Sequence, residues 1–228
     1  MSHLKRLEVP KTWPLTQRKG LTFIARPMPG PHKISDAMTL NHIIIEILHY
    51  AKKKKEVRAL LNEGNVLING SVIREPRFPA GLLDIVSIPE KNEYYIVLYN
   101  KFGKFYLSSI KKEDAGSIFC RIINKTMLSG KKLQLNFHNG YNLLVAEDTY
   151  KVGDTLLIHE NKIKKHLKFE KGALVYLTAG KSRGKIGTLE KIERLSGLSR
   201  DIVTLQYDNE IIVTIKDYIF VIDKEFTK

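Results

Sequence analysis

A chain of 228 residues with 43% hydrophobic and 9% aromatic content carries enough apolar material to fold, so disorder is not the starting expectation. Its 38 Lys and Arg against 24 Asp and Glu leave a net charge of +14, a field that attracts polyanions such as nucleic acid or anionic lipid. The single cysteine, Cys120, excludes an intramolecular disulfide and a cysteine-based zinc site, which fits a reducing cytoplasm. No run approaches the roughly 18 apolar residues of a membrane span, and the start lacks the apolar core of a secretory signal, so a soluble protein is expected.

The charge is unevenly placed. Residues 1–60 hold 12 basic and 4 acidic side chains, 61–100 hold 3 and 5, and 101–228 hold 23 and 15. A basic surface around a near-neutral module implies binding along several faces rather than in one cleft.

Residues 1–35 form the first segment. Five of the eight prolines lie here, with Lys5, Arg6, Lys11, Arg18, Lys19, Arg26 and Lys33 against Glu8 alone, and no helical or strand period is sustained. The prolines also interrupt the amphipathic helix of a transit peptide. An extended arm that orders on a partner is expected. Trp13 among the charges suits base stacking while the cations hold phosphates.

Residues 36–92 form the second. Ser35 is a plausible N-cap for a helix through Leu40–Tyr50 with a broad apolar face. A second helix begins at Lys54 or Lys55, runs through Val57, Leu60 and Leu61, and stops at Gly64. Lys52, Lys53, Lys54 and Lys55 thus bunch at a helix junction, with Arg58 beyond, and repel one another unless an anion is near. Val66, Ile68, Asn69-Gly70 and Val72 then signal a hairpin, and Leu83–Ile88 a further strand.

Residues 93–168 read as strands at 94–99, 105–107, 118–123, 132–137, 143–146 and 155–159, with a short helix allowed for near Lys111–Ala115. This is a central β domain. Residues 169–228 alternate again over 173–177, 186–192, 202–207, 211–215 and 219–222, the count of a five-stranded small barrel.

Gly180-Lys181-Ser182 first suggests a phosphate loop, but the required glycine five positions earlier is Val175 and no helix pattern follows. The stretch instead resembles the KOW motif, carried by Arg183-Gly184-Lys185 and Gly187 after a hydrophobic strand. Its glycines let the backbone turn sharply and approach RNA, and Lys181, Arg183 and Lys185 project as phosphate contacts. His42, Glu46 and His49 share a helix face, yet no further ligand accompanies them and a metal is not expected. No signature of nucleophilic catalysis is present.

Two helices followed by Gly64, Ile68-Asn69-Gly70, Val72, Pro76, Gly81 and Asp84 resemble the small RNA-binding domain first described in bacterial ribosomal protein four. The turn Gly81-Leu82-Leu83-Asp84 departs from that pattern. Along nearly its whole length the chain resembles the small-subunit ribosomal protein four family of archaeal and eukaryotic type, the S-four-e family. The match lies in His3-Leu4-Lys5-Arg6, Pro10-Lys11, Trp13, Arg26-Pro27, Gly30-Pro31-His32-Lys33, Pro79-Ala80-Gly81, Asp84, Ile88, the KOW-like loop and Ile219-Phe220-Val221-Ile222. The absence of a basic tail beyond Lys228 points to the archaeal-like form.

The resemblance implies an α+β, mostly β protein: basic arm, helical RNA-binding module, central β domain and SH3-like KOW barrel. It implies a cytoplasmic, ribosome-bound structural protein without enzymatic activity or cofactor. Its partners would be small-subunit ribosomal RNA and neighbouring ribosomal proteins, not membrane or DNA. RNA contacts are expected at Lys5, Arg6, Lys11, Trp13, Arg18, Lys19, Arg26, His32, Lys33, Lys52, Lys53, Lys54, Lys55, Arg58, Lys181, Arg183 and Lys185. A pseudouridine synthase would need a larger catalytic domain than 93–168 allows, and a KOW-bearing elongation factor leaves the arm and first module unexplained.

Overall fold

The computed structural model describes residues 3–17, 19–159, 162–193, 201–208 and 210–223. They fall into two compact units, one of residues 1–100 and 104–118, the other of 101–103 and 119–228.

In the first unit the arm folds back on itself: β1 (Leu4–Lys5) pairs antiparallel with β2 (Phe23–Ile24). The extended arm expected from the prolines is not what forms. Val9 and Trp13 are buried instead, Trp13 being 2% exposed with its ring 5.0 Å from that of His42. The carbonyl of Thr12 also accepts the Phe105 N–H at 2.8 Å.

The chain then enters β3 (Ala37–Thr39). The cap of the first helix is Thr39 rather than Ser35: its hydroxyl accepts the His42 N–H at 3.2 Å. Helix α1 (Leu40–His42) widens directly into a π turn at Ile43–Ile47, where the Leu48 N–H reaches the Ile43 carbonyl. Three consecutive β-branched residues, Ile43 to Ile45, crowd the ordinary α register there. His49, at φ 56°, ends the helix before Tyr50. Helix α2 (Lys54–Asn62) buries Val57 and Leu61, one turn apart, and gives way to Gly64 at φ 83°.

Next come β4 (Leu67–Ile68) and β5 (Ser71–Val72), joined by Asn69 and Gly70 at φ 51° and 79°, the type I′ pair expected. β6 (Pro79–Gly81) pairs with β3, and β7 (Ile85–Ile88) is buried at every position. The sheet continues into β8 (Glu93–Tyr99) and β9 (Phe105–Ser109), in the order β5-β4-β7-β8-β9. The boundary expected at residue 92 is therefore crossed by a sheet, because β7 finds its outer neighbour in β8 and the apolar run Ile96–Tyr99 is buried with it.

The second unit holds two five-stranded antiparallel sheets. The first has β10 (Ser117–Met127), β11 (Leu133–Phe137), β12 (Asn142–Val145), β13 (Thr155–His159) and β14 (Lys162–Leu167), ordered β12-β11-β10-β13-β14. β14 is a strand that the sequence reading does not contain, since Lys164, Lys165 and His166 mask its alternation. Residues 111–115 form a turn and not a helix, the Asp114 and Ala115 N–H groups sharing the Lys111 carbonyl.

The second sheet has β15 (Leu174–Leu177), β16 (Ile186–Glu193), β17 (Ile202–Tyr207), β18 (Glu210–Ile215) and β19 (Ile219–Val221), ordered β18-β17-β16-β15-β19. Val175, Leu177, Leu189, Val203, Leu205, Ile219 and Val221 form its core. Arg121 of β10 ties the sheets together, its guanidinium donating to the carbonyls of Asp217 and Ile219, both at 2.7 Å.

Candidate nucleic-acid interface

Where the expected contact residues lie follows from what the fold must bury. Arg6, expected as a phosphate contact, points inward: it is 5% exposed and its guanidinium meets the Glu46 carboxylate at 2.5 Å. Burial works to raise the pKa of Glu46, but hydrogen bonds from Arg6 and Thr16 overcome this and hold it below the usual range. Trp13, expected to stack on a base, is enclosed beside His42. His32, likewise expected at RNA, donates across 2.9 Å to Asp84, with which it is shut away from solvent.

That last contact explains the unusual turn Gly81-Leu82-Leu83-Asp84. Leu83 takes φ 66°, which swings the Asp84 carboxylate back to accept from the Gly81 N–H at 2.7 Å and the Asn69 side-chain amide at 2.8 Å. Asn69 in turn accepts the Ile85 N–H at 2.9 Å. Gly81 is obligatory here because a Cβ would stand 2.4 Å from the His32 ring. Burial disfavours charge on both partners, yet their mutual attraction prevails, lowering the Asp84 pKa and raising that of His32.

The helix-face trio is accounted for in the same way. His42 Nε2 donates to the Pro14 carbonyl at 3.0 Å, and burial drives its pKa down to about 4, so the ring is neutral. Glu46 holds Arg6, and His49 Nδ1 lies 3.0 Å from the Ile45 carbonyl.

Most of the other expected cations among the described residues face outward. Lys5, Lys11, Lys19 and Lys33 are exposed along the arm, and Arg26 is half-buried. Arg18 lies outside the described residues. Lys52 to Lys55 and Arg58 are all exposed at and after the start of α2. Cations there oppose the positive end of the helix dipole. Glu56 offsets part of that strain, its carboxylate accepting the N–H groups of Lys52 at 2.8 Å and Lys53 at 3.2 Å, which lowers its pKa.

In the second unit the loop between β15 and β16 turns at Gly180 and Gly184, both at φ 84°, with the Gly184 N–H on the Leu177 carbonyl at 2.8 Å. Lys181 is exposed, whereas Arg183 and Lys185 are half-buried. The Lys185 ammonium sits 4.5 Å over the Tyr207 ring and 3.5 Å from Glu210. Gly187, expected to allow close approach of RNA, instead lets two strands approach, since a Cβ would come within 2.8 Å of the Gln206 carbonyl on β17.

Two candidates escape the sequence reading. Phe102, 88% exposed at a tight turn between Lys101 and Lys104, has the aromatic-among-cations signature already applied to Trp13. Phe23, exposed on β2, gives no signal because its exposure depends on how the arm folds.

Cations dispersed over small β-rich modules, with their buried acids and histidines committed to structural bonds, define the class of small modular basic proteins to which ribosomal proteins belong. Comparison with known proteins makes this specific. The model of the ribosomal family S4e matches residues 91–164, and the RS4NT (NUC023) domain matches residues 2–35. The small ribosomal subunit protein eS4 of Methanocaldococcus jannaschii is 42% identical across 98% of this chain and 94% of its own length. That of Methanocella arvoryzae is 37% identical across 98% and 95%. A crystal structure of the 30S ribosomal protein S4e from Thermoplasma acidophilum is similar with a TM-score of 0.70 and 31% identity, covering 82% of this chain and 95% of that one. This chain belongs to the S4e family of ribosomal proteins, with archaeal relatives, and those relatives are named as ribosomal proteins and not as enzymes.

Proposed function

We propose that this chain is a structural component of the small ribosomal subunit that binds and stabilises folded ribosomal RNA, residing with the ribosome in the cytoplasm among neighbouring ribosomal proteins. The 42% identity to an eS4 protein over nearly the whole of both chains carries this reading. Its chemistry is charge neutralisation. Phosphates would be met by Lys5, Lys11, Lys19, Arg26 and Lys33 on the arm, by Lys52 to Lys55 and Arg58 on a module like that of bacterial ribosomal protein four, and by Lys181, Arg183 and Lys185 on a KOW barrel. Two helices followed by a type I′ hairpin support the module assignment, and five strands with a glycine-bounded basic loop support the barrel. Such contacts follow RNA shape and backbone rather than base sequence. Among the described residues no helix is long and apolar enough to cross a membrane.

Sedimentation of a cell lysate at moderate and then high salt tests the proposal. The chain is expected in the small-subunit and whole-ribosome fractions after the salt wash; recovery at the top of the gradient, or with RNA polymerase, would overturn it.

A further inference from the structure

A cleft of about 400 Å³ opens between the folded arm and the first helix. That volume falls within the range of about 300–1,000 Å³ typical of small-ligand sites. One wall is aromatic: Phe23 is 57% exposed, and its ring lies 5.5 Å from that of His3. Arg26, Lys52 and Lys54 also line the cleft, and the acid among its lining residues, Glu46, is already held by Arg6. Asn41 and His42 also line it from the first helix, with Asn41 Oδ1 and His42 Nδ1 themselves closed off from solvent.

We propose that this cleft takes one unpaired nucleotide of RNA, its base against Phe23 and its phosphate on Lys52, Lys54 and Arg26. The inference rests on the RNA-binding reading above and adds a site to it. A stacking platform beside cations is the general means of holding a single-stranded base. Stacking of this kind accepts any base, because every base has a π-face.

The test is a titration of the full chain, with ¹⁵N-labelled histidine, by AMP, CMP, UMP and ribose 5-phosphate, read by nuclear magnetic resonance. AMP, CMP and UMP should each saturate at several-fold lower concentration than ribose 5-phosphate and shift the ring resonances of His3, which lies against Phe23. Phe23→Ala should weaken AMP on the order of tenfold, as expected for loss of one stacking partner, while the circular dichroism spectrum is unchanged. Equal binding of ribose 5-phosphate and AMP would overturn the proposal, as would an equal response to a polyglutamate peptide, or Phe23→Ala without effect on AMP. A separate titration with a ribosomal RNA fragment distinguishes the two readings. Tight binding of that RNA beside a failed nucleotide titration would sink the cleft alone, whereas no binding of the RNA would sink the reading beneath it.

Discussion

The Arg6 guanidinium and the Glu46 carboxylate share a site with little access to water, so removing one strands the other. Arg6→Ala should destabilise the protein by about 3 kcal/mol in urea unfolding, whereas Lys5→Ala, one position earlier and exposed, should stay within about 0.5 kcal/mol. Histidines give the fold two opposite dependences on pH. His42, ordinarily near 6.5 and here about 4, binds fewer protons folded than unfolded. Its contribution is complete above 6.5 and disappears on acidification towards 4, by at most about 3 kcal/mol. The urea midpoint should therefore fall between pH 7 and pH 4.5, and His42→Asn should reduce that fall. His32 is raised, so the stability from its pairing with Asp84 is full below the ordinary histidine value and fades as pH rises through the raised one. None of these partners is legible from neighbours in sequence: Arg6 and Glu46 are 40 residues apart, His32 and Asp84 are 52. A lone Arg or Trp in a basic segment reads as an RNA contact until the residue it packs on is known.

At the scale of elements, local rules succeed where local chemistry decides. The Asn69-Gly70 turn, the end of α2 at Gly64 and the alternating strands of 174–221 depend on φ preferences and side-chain period, both written in the sequence. β14 is hidden because its lysines break the visible period, and the first helix starts later than the sequence suggests because Thr39, not Ser35, meets a free N–H. Gly187 lies where β16 and β17 approach, so Gly187→Ala should cost about 1–3 kcal/mol through the clash with the Gln206 carbonyl, measured by thermal or urea unfolding. The lysines before α2 are a separate case. Replacing Lys52, Lys53, Lys54 and Lys55 with Ala should leave stability unchanged or slightly raised, since cations oppose the dipole there. The same change should reduce the salt dependence of ribosomal RNA binding by up to about one unit of log-log slope for each phosphate no longer neutralised. An unaltered slope would remove these residues from the interface.

For the whole molecule, a net charge of +14 predicts that affinity for ribosomal RNA falls steeply between low and physiological salt, linearly in log-log coordinates. Binding that is insensitive to salt would exclude phosphate contacts as its main source. The sequence by itself determined the cationic character, the absence of paired cysteines, most strand positions and the S4e family, because charge, period and motif order are properties of the chain read along its length. Only the tertiary structure decided which cations remain at the surface, that the arm folds onto the first helix, that β8 and β9 extend the first sheet, and that Phe23, Asn41 and His42 come to line one cleft. Those outcomes depend on which distant side chains exclude water from one another, and burial of that kind has no signature in any one stretch of residues.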